Sequence, residues 1–446
     1  MTKETMNKIE FELGPAGLYD MDEVLDPETL GIKISSDEEI DSTARPGQRV
    51  RRIELEFTSQ DWHGFAWNHI ARIYIPTAYQ PGGNVGIIGA NWEFNVSGNE
   101  REFIPNTQLN TESEYTEGTA IDLGIPIMLF LTPGEEINGM HESDLMGFSM
   151  MKMFETNDLT WSGYYAIAKS YLRAITLMQA LPDVRAEKAV LVGCSKRGSA
   201  VCIAAGVDPQ RVAGVMATCY PGGNHLNMMA LKYHSFGPDI GGPAEERTGP
   251  GYQPAKNVLK SMNNPLGFRN LMAFDPYLWR DQIKPAYLVA IGTNDEFYGL
   301  GAPNEMLEGM PGDTAFLAVD NLPHSWVSEK HLAAWRMWLA KSLFNREIPS
   351  ITVSTRADEK VLSITVEIKS ESPIDHVKLF SAYNPTTDWR FSEWRSVDMK
   401  ALYGSYVGEL PRKADEHLAY YVEVGHTGKG GLGYVSSLVE ILRYDH

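Results

Sequence analysis

Three cysteines in 446 residues, Cys194, Cys202 and Cys219, are too few for a disulfide framework. They read as small buried hydrophobes in a reducing compartment. No Cys/His spacing suggests zinc, so no metal and no cofactor is expected. No apolar run reaches the roughly 18–20 residues that a membrane span needs. The opening Met1-Thr-Lys-Glu-Thr-Met-Asn-Lys-Ile-Glu10 lacks the apolar core of a signal peptide. This predicts a cytoplasmic protein, or an exported one whose signal lies outside this sequence. Basic residues are also in short supply. A net charge of −19 argues against nucleic acid and anionic membrane as partners.

What is present is an ordinary apolar fraction of 43%, in a chain long enough for two or three domains. Residues 1–50 hold twelve acids against five bases and read as a solvated, partly irregular lead-in. From residue 51 to about 348, short apolar runs alternate with helical stretches, which predicts a mostly parallel sheet with helices on both faces. Ile53–Thr58 and Ile70–Ile75 alternate like antiparallel edge strands. Val85–Ile88, Ile125–Leu131, Ala189–Val192, Val212–Ala217, Ala286–Ile291 and Ala315–Val319 are continuous apolar runs, as strands buried on both faces are. That makes eight strands. Tyr164, Ile167, Tyr171, Ile175, Met178 and Leu181 recur at helical spacing before the fifth of these strands. Residues 349–446 change texture to short β-like runs, which suit an all-β sandwich of immunoglobulin or fibronectin type.

Ser195 stands at the centre of Val190-Leu-Val-Gly-Cys-Ser-Lys-Arg-Gly198, between an apolar strand and a small-residue helix. This strand–Ser–helix turn is the nucleophile-elbow context of an α/β-hydrolase fold. The elbow is imperfect: Gly193 stands at −2, but Arg197 occupies +2, where a glycine is usual, and Gly198 follows at +3. Asp295 and His324 lie after the next two appropriate strands and complete the order Ser, acid, His. A serine hydroxyl needs a positioned base, and that base needs an acid to fix its tautomer. Glu296 is the neighbouring alternative acid. The bland alternatives are a turn residue for Asp295 and a loop histidine for His324. The oxyanion hole would use the backbone N–H of Lys196 and one from Asn91 or Trp92. Residues 220–274 are too long for a simple crossover and predict a cap over the pocket, with His225 and His234 as candidate substrate contacts.

Thr58-Ser-Gln-Asp-Trp62, Trp67-Asn-His69, Gly193-Cys-Ser-Lys-Arg-Gly198, Asp275-Pro-Tyr277, Gly292-Thr-Asn-Asp-Glu-Phe297, Ala382-Tyr-Asn384 and Asp388-Trp-Arg390 occur in this order. Together they resemble the PhoPQ-activated pathogenicity-related proteins over about residues 50–440. The resemblance implies an α/β-hydrolase with a β-rich C-terminal domain and a Ser195, Asp295, His324 triad. It supplies no substrate. The elbow alone is similar to that of glucuronoyl esterases, which carry a basic residue after the serine. Lys196 or Arg197 could then bind a carboxylate or sugar acid, although a salt bridge is the commoner fate of such residues. Trp389, Phe391, Trp394 and Tyr403 could form a carbohydrate-binding face or simply pack.

The expected function is a serine hydrolase that cleaves small-molecule or carbohydrate-linked carboxylic esters. A peptidase or amidase, a glucuronoyl-type carbohydrate esterase and a non-catalytic binding protein are the alternatives.

Overall fold

The computed structural model describes residues 13–90, 111–132, 137, 139–140, 142–237, 263–428 and 430–444. A nine-stranded sheet forms its centre, in the order β1-β2-β3-β5-β4-β6-β7-β8-β9. The strands are β1 (Lys33–Asp41), β2 (Arg49–Trp62), β3 (Phe65–Pro76), β4 (Val85–Ala90), β5 (Ile127–Leu131), β6 (Ala189–Cys194), β7 (Val212–Thr218), β8 (Ala286–Gly292) and β9 (Thr314–Val319). The first two pairings and the β3–β5 pairing are antiparallel. From β5 through β4 to β9 every neighbour is parallel.

The eight expected strands are therefore joined by a ninth, β1, inside the segment read as a solvated lead-in. Its acids are not merely solvated. Asp37 meets Arg51 at 2.7 Å, Glu38 meets Arg52 at 2.8 Å and Glu39 meets Arg49 at 2.7 Å across the β1–β2 ladder. Such exposed pairs are each worth only about 0–1 kcal/mol. They charge an edge that would otherwise invite strand addition. Upstream, the buried Arg173 donates to the carbonyls of Glu23 and Val24 at 2.7 and 3.0 Å, which ties residues 20–26 to the main core.

Each parallel strand buries both faces, with alternate residues in two separate cores. Ile87, Leu191, Val215 and Val289 pack with helices α1 (Gly163–Ala180) and α2 (Lys196–Val207). Ile88, Val190, Val192, Met216 and Leu288 pack with a helix at Glu329–Phe344, through Trp335 and Trp338. This two-sided burial is why the strands read as unbroken apolar runs. Two further helices, α3 (His225–Phe236) and α4 (Pro265–Phe274), lie within the segment expected to form a cap, residues 220–274; its residues 238–262 lie outside the described residues. All three cysteines are buried and none is in a disulfide. No helix among the described residues is long and apolar enough to cross a membrane.

The C-terminal part forms two antiparallel sheets. One runs β10 (Ser350–Ala357), β11 (Val361–Lys369), β15 (Ser405–Pro411), β14 (Lys400–Leu402). The other runs β13 (Arg395–Asp398), β12 (Ile374–Asn384), β16 (His417–Gly428), β17 (Gly431–Ser436), with β18 (Glu440–Leu442) on β16. Leu362, Ile364 and Val366 of the first share a core with Leu379, Val422 and Val424 of the second. The four aromatics singled out above divide cleanly. Trp389 and Trp394 are buried against the main core, whereas Phe391 and Tyr403 are 87% and 99% exposed.

Candidate active site

The elbow is built by close packing. Ser195 follows β6 with φ 58° and ψ −117°, a strained conformation for a residue with a Cβ, and α2 starts at the next residue. Such backbone costs about 1–3 kcal/mol and is held by its surroundings. Here the Ser195 N–H donates to Thr218 O at 2.9 Å, and the Tyr171 hydroxyl donates to Val192 O at 2.9 Å beneath the turn. A Cβ on Gly193 would stand 2.5 Å from Tyr171 Oη and 2.6 Å from Arg197 O. A Cβ on Gly198 would stand 2.7 Å from the Tyr220 Cβ. The second small residue is thus needed at +3, where the chain leaving β7 crosses the helix, and not at +2.

Asp295 and His324 sit on the loops that follow β8 and β9. His324 Nδ1 and Asp295 Oδ2 are 2.7 Å apart. Asp295 is almost fully buried, and its Oδ1 accepts the N–H groups of Phe297 and Tyr298 at 2.8 and 3.0 Å. The carboxylate is therefore locked with one oxygen aimed at the ring. Glu296 binds the same residue elsewhere, its Oε2 accepting the His324 backbone N–H at 2.8 Å. Burial opposes the charged form of His324, but the Asp295 carboxylate outweighs it and raises the ring's pKa to about 9. Cys194, which precedes Ser195, adds to the same field. No hydrogen bond joins Ser195 Oγ to His324 among the described residues. Catalytic contacts of this kind often tighten only when substrate binds.

Both loops are pinned by the C-terminal part. The Asn294 amide donates to Arg390 O and Ser392 O at 3.1 and 2.8 Å. Asn321 exchanges two hydrogen bonds with the backbone of Trp394, at 3.0 and 2.8 Å. One of these asparagines immediately precedes the acid, and the other stands three residues before the base.

The remaining expected site residues are dispersed. Lys196 is the first residue of α2 and is half-buried. Arg197 is buried, and its guanidinium donates to Thr132 O at 3.1 Å. Asn91 and Trp92 lie outside the described residues. His225 pairs with Asp275 at 3.2 Å; His234 is exposed. Asp275 also accepts the backbone N–H groups of Asn224 and His225, at 2.7 and 2.8 Å, and so fixes the start of α3. A cavity of about 130 Å³, walled by Met150, Met153, Phe154, Tyr164 and Phe274, has this pair at its edge. The segments at 58–62 and 67–69 are scaffold: Trp62 and Trp67 are buried, and His69 bridges Ser59 Oγ and Leu131 O.

The sequence marked Cys219 only as a small buried hydrophobe and did not mark Lys232. The Cys219 thiol, an Asp295 oxygen and a His324 nitrogen lie within 4.8 Å of one another, the one such group of metal-capable donors among the described residues. Both Asp295 oxygens already accept hydrogen bonds, an arrangement that suits an orienting carboxylate better than a metal ligand.

Fold and site together define a class: a mixed α/β protein with a strained strand–serine–helix turn near a hydrogen-bonded aspartate–histidine pair. The chain belongs to the PhoPQ-activated pathogenicity-related protein family, whose model matches residues 39–390. Autocrine proliferation repressor protein A of Dictyostelium discoideum is 25% identical over 262 residues, 55% of this chain and 49% of that protein. The chain thus spans about half the length of this curated relative. Among solved structures, an acetyl xylan esterase from Paenibacillus sp. R4 is similar at a TM-score of 0.45 and 14% identity, covering 73% of this chain and 95% of that one. A glucuronoyl esterase from Solibacter usitatus is similar at 0.42 and 14%, covering 71% and 86%. At such TM-scores these likenesses decide nothing about the chemistry.

Proposed function

We propose that this protein is a serine hydrolase of the α/β-hydrolase fold that cleaves carboxylic esters through an acyl-enzyme on Ser195. The observation that carries the reading is the 2.7 Å Asp295–His324 bond, on the loops after β8 and β9, with the strained Ser195 turn after β6. The strand order supports the fold: one exchange of β4 and β5, then parallel neighbours to β9. The C-terminal sheets fit a sandwich of immunoglobulin or fibronectin type.

In this mechanism Ser195 Oγ attacks the ester carbonyl and passes its proton to His324 Nε2. Asp295 holds the ring with its proton on Nδ1 and stabilises the imidazolium. The oxyanion accepts hydrogen bonds at the N-terminal end of α2, where backbone N–H groups and the helix dipole favour negative charge. Collapse expels the alcohol, which takes the proton back from His324. Water then repeats the cycle and releases the acid.

Fluorophosphonate labelling tests the claim. Wild-type protein is expected to label, and Ser195→Ala is not. A folded wild type that does not label would overturn it. Among labelled samples, aryl acetates should turn over faster than glucuronate methyl esters and aminoacyl anilides. Anilide turnover above ester turnover would move the reading to an amidase.

The raised pKa of His324 gives a second expectation. The base must be neutral to accept the serine proton, so activity is lost as pH falls through about 9. For an aryl acetate, kcat/KM should climb roughly tenfold per pH unit from pH 7 and level off near 9. A profile already flat at pH 7 would contradict this.

A further inference from the structure

Lys232, on α3, is 8% exposed, and among the described residues no carboxylate lies within ion-pair distance of its ammonium. Other buried cations are differently placed. Lys169 meets Glu23 at 2.7 Å, Arg211 pairs with Asp208, and Arg173 is surrounded by backbone carbonyls. A buried charge is normally paired because desolvation is costly. Lys232 instead stands over the face of Tyr298, with Nζ 5.5 Å from the ring centroid. Tyr298 leads directly to the candidate site. Its ring is 5.8 Å from that of His324, and its N–H donates to Asp295 Oδ1.

We propose that Lys232 is a specificity-determining residue that binds a free carboxylate on the substrate, so that the preferred esters are monoesters of dicarboxylic acids. The choice of an ester rests on the hydrolase reading above; the anion site does not. One ammonium, backed by a tyrosine face, matches a single negative charge. A phosphate dianion would demand more donors, and its double charge would meet about twice the repulsion from the Asp295 carboxylate that a single carboxylate meets. The groups that face Lys232 are His225 on its own helix, and Asp295 and Tyr298 on the loop after β8. Burial lowers the lysine's pKa to about 8, only partly offset by Asp295. The site therefore loses its charge, and its anion, as pH rises through that value.

Calorimetric titration of monomethyl succinate into the full-length Ser195→Ala protein tests this without turnover. At pH 7 the Ser195→Ala/Lys232→Met double variant should bind at least tenfold more weakly than Ser195→Ala. Ser195→Ala/Lys232→Arg, which keeps a cation, should recover most of the difference. Binding to Ser195→Ala should weaken similarly at pH 9.5. Methyl butanoate, the neutral counterpart, should not distinguish these proteins. Equal affinity of Ser195→Ala and the methionine double variant for monomethyl succinate would overturn the proposal. So would tighter binding of methyl butanoate than of monomethyl succinate to Ser195→Ala. Methionine removes a desolvated charge at nearly equal volume, and a thermal melt reports whether the variant is folded. Failure of wild type to label with fluorophosphonate would overturn the hydrolase reading while leaving these titrations able to judge the anion site.

Discussion

Under the proposed mechanism, replacing Ser195 with alanine is expected to lower kcat for ester hydrolysis by about 10⁶-fold, as loss of the nucleophile does in triad enzymes. KM should change little, because the hydroxyl contributes to the reaction more than to ground-state binding. Stability should not fall with it. At φ 58°, ψ −117° the backbone strains serine and alanine alike, and the bond from the Ser195 N–H to Thr218 O does not use the side chain. A melt should therefore place the variant close to wild type. Retained turnover in Ser195→Ala would show that another group performs the chemistry, and the nearby Cys219 thiol would be the first to test.

Asp295→Asn is the second large effect, expected to cost about 10⁴-fold in kcat at neutral pH. The geometry explains why so small a change is so damaging. Oδ1 is committed to the N–H groups of Phe297 and Tyr298, so an asparagine must keep its carbonyl there. Its amide N–H₂ then replaces Oδ2, facing His324 Nδ1. That nitrogen must become the acceptor, the proton moves to Nε2, and the base can no longer accept from Ser195. Loss of the carboxylate also removes what holds the His324 pKa up, so the residual activity should level off well below pH 9. Glu296→Gln keeps an oxygen for the His324 backbone N–H and should cost less than tenfold. If it costs more than Asp295→Asn, the two acids have been assigned the wrong way round.

Much of this framework was legible in the residues because its cause is local. Buried parallel strands must be apolar throughout, so β4 to β9 announced themselves, and Ser195, Asp295 and His324 could be placed at strand ends. The features that escaped depend on partners distant in sequence. β1 looks like solvent-facing acid until Arg49, Arg51 and Arg52 are laid opposite it. The displaced elbow glycine makes sense only once Tyr220 is seen to cross Gly198. Nothing in Leu231-Lys-Tyr233 says that one lysine of many will be buried over Tyr298. Composition likewise could not separate Trp389 and Trp394, which pack, from Phe391 and Tyr403, which face outward.

The asparagine clasps have a consequence for the order in which the molecule comes to life. Synthesis delivers Asp295 and His324 well before Arg390, Ser392 and Trp394, whose backbone groups hold Asn294 and Asn321. A nascent chain halted near residue 350 owns every member of its candidate triad, yet the loops that carry two of them hold only each other and the sheet, through bonds such as Asn294 N–H to Leu322 O and Asn321 N–H to Thr293 Oγ1. The clasps therefore close late, once the segment between β12 and β13 has left the ribosome and its sheet has formed. A chain that loses that segment should lose the proposed chemistry without losing a single reacting group.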